Sequence, residues 1–238
     1  MSLQEKKQAI REKVWNLLEA KEAARFPGAQ GRIPNFVGAE RCAAHLDQLK
    51  VWQAARVIKI NPDAPQRAIR YKALRDGKRL YMAVPRLRRL ECFIELDSDR
   101  IGEKKWWEAS SIVGAGHWGR TVTVEEMEPI DLIFCGSVAV SRDGGRIGKG
   151  EGYSDLEYAL ATEAGKVRPD TPIVTSVHPL QILDRTFPWA EHDIPVDFIL
   201  TPRKVIVCRS RYPRPKGVEW DLLTEEKIEA IPALKEKR

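Results

Sequence analysis

Residues 131–165 read DLIFCGSVAVSRDGGRIGKGEGYSDLEYALATEAG, an apolar run, a glycine-rich loop and a helical run in direct succession. The apolar run over 131–140 predicts a buried strand, and the run from Leu156 to Gly165 predicts a helix. Five glycines lie among the thirteen residues 143–155 that join them. At a strand-to-helix passage, glycine lets backbone N–H groups approach an anion closely. The passage is therefore typical of an α/β domain that binds phosphate.

Similar apolar runs alternate with polar segments of helical length along the rest of the chain. We predict strands over 55–60, 79–84, 91–96, 131–140, 172–177, 196–200 and 204–209, and helices over 3–25, 39–49, 64–76, 151–165 and 179–186. Near-continuous apolar strands separated by helices favour a mostly parallel sheet covered on both faces. The predicted fold class is α/β, a three-layer Rossmann-like sandwich. In such sheets ligands bind beyond the carboxyl ends of the strands.

The length and composition are those of one ordinary globular domain, with 238 residues, 43% of them hydrophobic and 31% charged. We expect a single domain over residues 1–210, with an irregular Gly- and Pro-containing arm over 27–38 and a peripheral C-terminal tail over 211–238. No run reaches the roughly 18 to 20 apolar residues that cross a bilayer, and the N-terminus lacks the apolar core of a secretory signal. We expect no membrane association.

The cysteines and the net charge indicate the cellular compartment and the kind of ligand. The four cysteines are far apart in the sequence, so we expect buried reduced thiols and a cytoplasmic location. The chain carries 40 Lys and Arg against 34 Asp and Glu, a net charge of +6. That surplus suits an anionic ligand or a nucleic acid, but it is modest and the basic residues are scattered. A small molecule that bears phosphate fits equally well.

The glycine-rich segment carries two cations of its own, Arg146 and Lys149, which suit a polyphosphate. Its glycine spacing matches neither the G-x-x-x-x-G-K-[ST] phosphate loop nor the G-x-G-x-x-G fingerprint. From the residues alone, a flexible Gly-rich hairpin is as good an interpretation as a functional loop.

The order R-x-G-x-G-x-G-Y-x-D within this segment resembles the R-x-G-x-G-x-G-Y-Y-D loop of the 5-formyltetrahydrofolate cyclo-ligase family, also called methenyltetrahydrofolate synthetases. Lys7 and Arg11 match the K-x-x-[LI]-R element of that family, and HDIPVD over 192–197 matches its H-D-x-x-V-D segment. RIPNF over 32–36 and VPRLR over 84–88 are similar to a divergent branch that includes the methenyltetrahydrofolate synthetase domain-containing proteins. No aromatic element of an RNA-recognition domain follows Arg211.

The resemblance implies ATP-dependent closure of a reduced folate. The γ-phosphoryl group passes to the formyl oxygen on N5, N10 then attacks, and phosphate leaves to give 5,10-methenyltetrahydrofolate. It also implies ATP and Mg²⁺ as cofactors and a role for each matched residue. Expected site residues are Arg146 and Lys149 for catalysis; Lys7, Arg11, Arg146, Gly148, Lys149, Gly150, Gly152 and Tyr153 for ATP; Asp63, Tyr153 and Ser154 for substrate; and Asp155 and Asp193 for Mg²⁺.

Two of these positions depart from the pattern of the family. Ser154 stands where the family has its second loop tyrosine, and Asp63 is the one candidate for an acidic substrate contact that is usually Glu. Three hypotheses therefore stay open. The protein is a folate cyclo-ligase, an ATP-using enzyme for another substrate, such as one linked to thiamine metabolism, or a non-catalytic nucleotide- or RNA-binding protein. The expected partner is a reduced folate or an analogue, and both a monomer and a homodimer fit.

Overall fold

A computed structural model describes residues 1–238 and places an eight-stranded sheet at the centre of the molecule. Ten strands are present: β1 Val57–Ile60, β2 Arg79–Ala83, β3 Phe93–Leu96, β4 Arg120–Val122, β5 Leu132–Cys135, β6 Ala139–Val140, β7 Arg146–Ile147, β8 Ile173–Ser176, β9 Phe198–Leu200 and β10 Val205–Val207. The sheet order is β10-β9-β8-β5-β1-β2-β3-β4, and β6 and β7 form a separate hairpin.

The sheet is mostly parallel, as predicted. The five strands from β9 to β2 in the sheet order pair in parallel, whereas β10 at one edge and β3 and β4 at the other pair antiparallel. From β1 the chain continues to β2 on one side and later returns to β5 on the other. The carboxyl ends of β1 and β5 therefore meet at a topological switch point, where α/β sheets bind ligands.

Helices cover both faces of the sheet and complete the predicted three-layer sandwich. The α-helices are α1 Leu3–Ala20, α2 Lys50–Ala54, α3 Arg67–Arg75, α4 Trp106–Ala109, α5 Ile112–Trp118, α6 Tyr153–Glu163, α7 Glu225–Ala230 and α8 Pro232–Lys235, and shorter 3-10 helices span Ala39–Gln48, Ala64–Gln66, Pro85–Leu87, Glu103–Lys105, Pro179–Gln181 and Trp220–Leu222. No helix combines the length and the apolar character that a bilayer span requires.

Alternate residues of the central strands supply the two halves of the core. In β5, Leu132 and Phe134 pack with the layer that holds α3, whereas Ile133 and Cys135 pack with the layer that holds α6. This alternation follows from the two-residue period of a strand. Since both faces are covered, every residue of β5 is buried, which is why its sequence reads as a continuous apolar run.

Helix α1 begins in a reciprocal cap, because Ser2 Oγ accepts from the Glu5 N–H and Glu5 Oε2 accepts from the Ser2 N–H. It ends at Ala20, five residues before the predicted end. Ile10, Val14 and Leu18 of its apolar face pack against the β6–β7 hairpin and Phe187. This packing fixes the N-terminal turns of α1 beside the loop that follows β7.

Two of the predicted elements differ from the structure. In both cases residues distant in the sequence contact the chain at that point. The predicted strand 131–140 is divided into β5, which ends at Cys135, and β6, which begins at Ala139. Between them, Gly136 lies so close to Asp63 and Ile33 that a Cβ there would overlap both side chains. The predicted helix 179–186 is only the 3-10 turn Pro179–Gln181. There the Leu183 N–H donates to the Val140 carbonyl oxygen at 2.9 Å, which holds the chain extended.

The segment 211–238, predicted as a peripheral tail, contributes several side chains to the core. Ile228, Ile231 and Leu234 are buried in the same cluster as Leu160 of α6. The charged composition of the segment hides this short apolar set, which carries α7 and α8 onto the sheet. The segment is therefore packed against the domain on one side and charged on the other.

Candidate active site

A cleft of about 430 Å³ opens at the carboxyl edge of the sheet. Its floor is formed by the residues that follow three parallel strands: 61–63 after β1, 84–86 after β2 and Gly136 after β5. Helix α1 and the residues that follow β7 form one wall. The volume lies within the range of small-molecule sites, and the position is that predicted for a ligand of a doubly wound sheet.

Residues 148–153, the glycine loop, join β7 to helix α6 and line the cleft. Gly150 and Gly152 have positive φ angles of 105° and 72°, which lie in the region that favours glycine. Gly152 also caps the N-terminus of α6. The loop therefore brings the positive end of the α6 dipole to the cleft, together with backbone N–H groups that an anion can accept from.

Gly150 is expected to tolerate no side chain, for two separable reasons. Its φ angle is strained for alanine, and a Cβ would lie 3.0 Å from Arg11 Cζ. Gly77→Ala is the matched control, because Gly77 has a φ angle of 70° but nothing within 4 Å of its Cβ position. We expect both variants to lose about 1 kcal/mol of unfolding free energy from φ strain. Only Gly150→Ala is expected to weaken ATP binding, as measured by calorimetry; equal ATP affinities would contradict this account.

Two cations of helix α1 face the cleft, as the i, i+4 spacing predicts. Lys7 is buried and donates to Asp193 Oδ1 at 2.6 Å. Arg11 is also buried, and its Nε donates to the Gly148 carbonyl oxygen at 2.8 Å. Burial lowers the pKa of Arg11, while Asp193 and Asp155 oppose that shift. These contacts hold Arg11 against the glycine loop and Lys7 against Asp193, so neither cation lies on a solvated helix face.

Arg146 lies in the cleft wall, and most of its N–H donors form hydrogen bonds with other groups of the protein. Its Nε donates to the Ile194 carbonyl oxygen at 3.2 Å, its Nη1 to the Gly136 carbonyl oxygen at 2.9 Å, and its Nη2 to Asp155 Oδ1 at 2.5 Å. A guanidinium has five N–H donors, so two remain for a ligand. Asp155 acts against burial to raise the pKa of Arg146, which stays charged. The side chain thus ties three loops together at the base of the cleft.

The two carboxylates expected to bind Mg²⁺ lie in the same cleft but differ in availability. Asp155 Oδ1 accepts from Arg146, and its Oδ2 has no partner in the protein. Both oxygens of Asp193 are used, since Lys7 donates to each and the Ala190 N–H donates to Oδ2 at 2.7 Å. No group of three or more His, Cys, Asp or Glu side chains is placed to hold a metal ion. The free Oδ2 of Asp155 is one hard oxygen donor, which fits an ion that takes its other ligands from phosphates and water, as Mg²⁺ does.

Lys149 and Tyr153 are the most accessible of the expected ATP residues. Lys149 projects from the glycine loop, is partly exposed, and forms an ion pair with Glu151 at 2.7 Å. Tyr153 begins helix α6 and lines the cleft with its half-buried ring. Because exposed ion pairs contribute little energy, a ligand phosphate can recruit Lys149 at small cost.

The expected substrate residues Asp63 and Ser154 lie at the floor of the cleft. The main chain around Asp63 is fixed by the buried Arg70, whose Nη1 donates to the carbonyl oxygens of Asn61 and Asp63 at 2.6 and 3.0 Å. The carboxylate itself lines the cleft. Desolvation raises its pKa to about 6, and the positive charge of Arg70 opposes this shift. Ser154 Oγ accepts from Asn61 Nδ2 at 3.2 Å.

The raised pKa of Asp63 predicts a pH-dependent stability. The folded protein holds the proton up to about pH 6, whereas the unfolded chain releases it near pH 3.8. Stability contributed by the protonated carboxyl is therefore lost as the pH rises from about 4 to about 6. We expect the unfolding free energy of Asp63→Asn, relative to the wild type, to increase across this window and then level off. Urea titrations at a series of pH values measure it, and parallel curves would contradict the assignment.

Two buried charges at the cleft floor were not among the predicted site residues. Lys59 of β1 and Glu157 of α6 form a buried ion pair, and Lys59 Nζ also donates to Asn61 Oδ1 at 2.6 Å. Glu157 lines the cleft, so this pair connects the core to Asn61 and Ser154. Their signal in the sequence is a charged residue inside an apolar run, in ARVIKI for Lys59 and in LEYALA for Glu157.

The fold and the site define a class: an α/β protein with a basic, glycine-rich cleft at the switch point of its parallel sheet. The model of the 5-formyltetrahydrofolate cyclo-ligase family matches residues 3–202. The chain therefore belongs to the 5-formyltetrahydrofolate cyclo-ligase family. The resemblance carried by the residues of the glycine loop, helix α1 and the 192–197 segment is confirmed.

Relatives and solved structures agree with this membership. The chain is 41% identical over 235 residues to the methenyltetrahydrofolate synthase domain-containing protein of Mus musculus and 37% identical over 235 residues to that of Homo sapiens. These matches cover 98% of this chain but only 63% and 61% of those proteins. The NMR structure of 5,10-methenyltetrahydrofolate synthetase from Aquifex aeolicus is similar in fold, with a TM-score of 0.52 at 21% identity, over 94% of this chain and 100% of that one.

Proposed function

We propose that this protein converts 5-formyltetrahydrofolate to 5,10-methenyltetrahydrofolate, with ATP consumed to ADP and phosphate. The observation that carries the proposal is that Lys7, Arg11, Arg146 and Lys149 line one cleft with the glycine loop, at the switch point of the sheet. Family membership supports the reaction type. A phosphoryl transfer needs mainly positioning and neutralisation of charge, and this cluster is suited to both.

Each cation has a distinct part in the proposal. Lys7 and Arg11, held by Asp193 and by the Gly148 carbonyl oxygen, are fixed before the ligand arrives. They bind the phosphates of ATP with little reorganisation. Lys149 is the mobile cation, which leaves Glu151 to neutralise the charge that develops on the transferred phosphoryl group. Arg146 holds Asp155 and the Gly136 carbonyl group in place, and its two remaining N–H donors would bind the same charge.

Mg²⁺ fits this cleft through Asp155. The free Oδ2 of Asp155 is a hard oxygen donor beside the cationic cluster. Asp193 would take part through water only, since Lys7 and the Ala190 N–H use both of its oxygens. When bound with ATP, the ion would neutralise part of the phosphate charge. The residues of the chain then hold the ion, the phosphates and the substrate in fixed relative positions.

The altered substrate side supports a second candidate function, an ATP-dependent reaction on another amide-like or formylated substrate. Asp63 and Ser154 replace a longer acid and an aromatic ring, and behind them lies the Lys59–Glu157 pair. A cleft floor rich in hydrogen-bonding groups suits a smaller and more polar substrate than one that stacks on tyrosine. The ATP residues would have the same roles in both reactions.

Absorbance-monitored turnover of 5-formyltetrahydrofolate separates the two candidates. Purified protein with ATP and Mg²⁺ is expected to form the methenyl product, and omission of ATP is expected to abolish it. ATP binding without product would favour the second candidate and direct the search to other formylated substrates. Absence of ATP binding would overturn both candidates and favour a binding protein, for which RNA retention on filters at low salt is the next test.

A further inference from the structure

Helix α7 contacts the glycine loop from outside the residues that match the family model, which end at 202. Lys227 Nζ lies 4.8 Å from the centroid of the Tyr153 ring, within the range of a cation–π contact. The same ammonium donates to the Glu151 carbonyl oxygen. It also lies close to Gly152, since a Cβ built there would be 3.5 Å from Lys227 Nζ. One side chain thus contacts three consecutive residues of the loop.

The base from which Lys227 reaches the loop is rigid. Thr224 caps α7, with its Oγ1 accepting from the Lys227 N–H at 3.2 Å. Ile228, the next residue along the helix, is buried in the core together with Ile231. The Lys227 side chain is half-buried, and desolvation lowers its pKa, against the opposing charges of Glu151 and Asp155. The Lys227 side chain is therefore fixed at its base, where helix α7 packs on the core, and at its ammonium, which contacts the loop.

The glycine loop needs such an anchor because two of its residues have positive φ angles. Glycine loses more conformational freedom on ordering than other residues, so a free loop would lose that entropy when a ligand binds. A loop that is already ordered in the free protein binds its ligand more tightly, because the conformational entropy has been lost on folding. Lys227 is placed to impose this order from the side of Tyr153, opposite the contact of Arg11 with Gly148.

We propose that Lys227 is a positioning residue, which holds the glycine loop in the conformation that receives the phosphates of the nucleotide. The inference rests on the proposed function for the identity of the ligand, but the contact itself is independent of it. Helix α7 is then a support of the glycine loop, although it begins at Glu225, beyond the last residue matched by the family model. It packs in the same hydrophobic cluster as helix α6, which the loop precedes.

Three variants test the proposal. Lys227→Met keeps the apolar stem and removes the charge, Lys227→Arg keeps the charge, and Lys216→Met removes an exposed lysine of the same segment that has no ion pair. ATP affinity is measured by calorimetry with Mg²⁺. Hydrogen–deuterium exchange of amides 148–153 is measured without ligand, and thermal unfolding reports the overall stability of each variant.

Lys227→Met is expected to raise the Kd for ATP about tenfold, equivalent to about 1.4 kcal/mol, and to speed amide exchange within 148–153. Lys227→Arg is expected to restore most of the affinity, and Lys216→Met to behave as the wild type. Unchanged affinity and exchange in Lys227→Met would overturn the inference, as would a loss that Lys227→Arg does not rescue. If the wild type binds no ATP, the proposed function fails, while the exchange rates of the unliganded proteins still support or overturn the contact.

Discussion

Asp155→Asn is expected to lower kcat about 1000-fold with a small change in the size and shape of the side chain, and so to show the largest loss of activity of any single substitution proposed for this protein. The carboxylate pairs with Arg146 at 2.5 Å, and in the proposed function its free Oδ2 would bind Mg²⁺. Asparagine keeps one oxygen but neither the charge nor the strong donor for a hard cation. Loss of one preorganised electrostatic contact lowers kcat by about 10²–10³-fold. We expect the upper end of this range because Asp155 is proposed both to pair with Arg146 and to bind Mg²⁺.

Asp184→Asn is the matched control for this measurement, because Asp184 is exposed and pairs with Arg142, and neither residue lines the cleft. Its kcat is expected to equal that of the wild type. Steady-state turnover of 5-formyltetrahydrofolate gives kcat and KM for both variants. If Asp155→Asn changed KM alone and left kcat intact, Asp155 would act in binding only and the proposed metal role would be wrong.

Glu157→Leu is expected to lower the free energy of unfolding by about 3–5 kcal/mol, because it leaves the Lys59 ammonium buried without its counter-charge. Both side chains are almost fully buried, with 4% and 6% of their surfaces exposed. The double variant Lys59→Met/Glu157→Leu replaces the pair by apolar side chains and is expected to regain most of that loss. Urea denaturation of both single variants and the double variant gives the coupling energy.

The outcome of that cycle decides what the pair does. A large coupling energy with a stable but inactive double variant would show that the pair is kept for the cleft floor, through Asn61 and Ser154. Additive losses in the cycle would contradict the account, since they would mean that the two charges do not depend on each other.

Much of the fold follows from patterns that are local in the sequence. The central strands are predicted because burial on both faces makes them continuous apolar runs, as in β5. Elements that depend on distant contacts are not predicted. Within 179–186, the chain leaves the 3-10 turn Pro179–Gln181 and is held extended by the bond of Leu183 to Val140. The apolar residues of α7 are too few to show a period within a charged tail. The short strand β4 and helices α4 and α5 have weak patterns for the same reason.

The candidate site divides in the same way. The motif of the family is sufficient to predict from the sequence that Lys7, Arg11 and the glycine loop belong to one site. In the structure they line one cleft. The partners of each charge could not, since Asp193 lies 186 residues from Lys7. Lys227 is 76 residues from Glu151 and carries no motif. The contact of Lys227 with the loop is visible only in the three-dimensional structure. The same is true of Arg146, which links three loops.

In the proposed reaction, the formyl oxygen of the substrate receives the phosphoryl group of ATP in this cleft. If so, that oxygen must leave in the released phosphate when N10 closes the ring. Turnover of 5-formyltetrahydrofolate labelled with ¹⁸O in the formyl group, followed by mass spectrometry of the phosphate, tests this directly. The account predicts one ¹⁸O atom in each phosphate released. Methenyl product accompanied by unlabelled phosphate would contradict it.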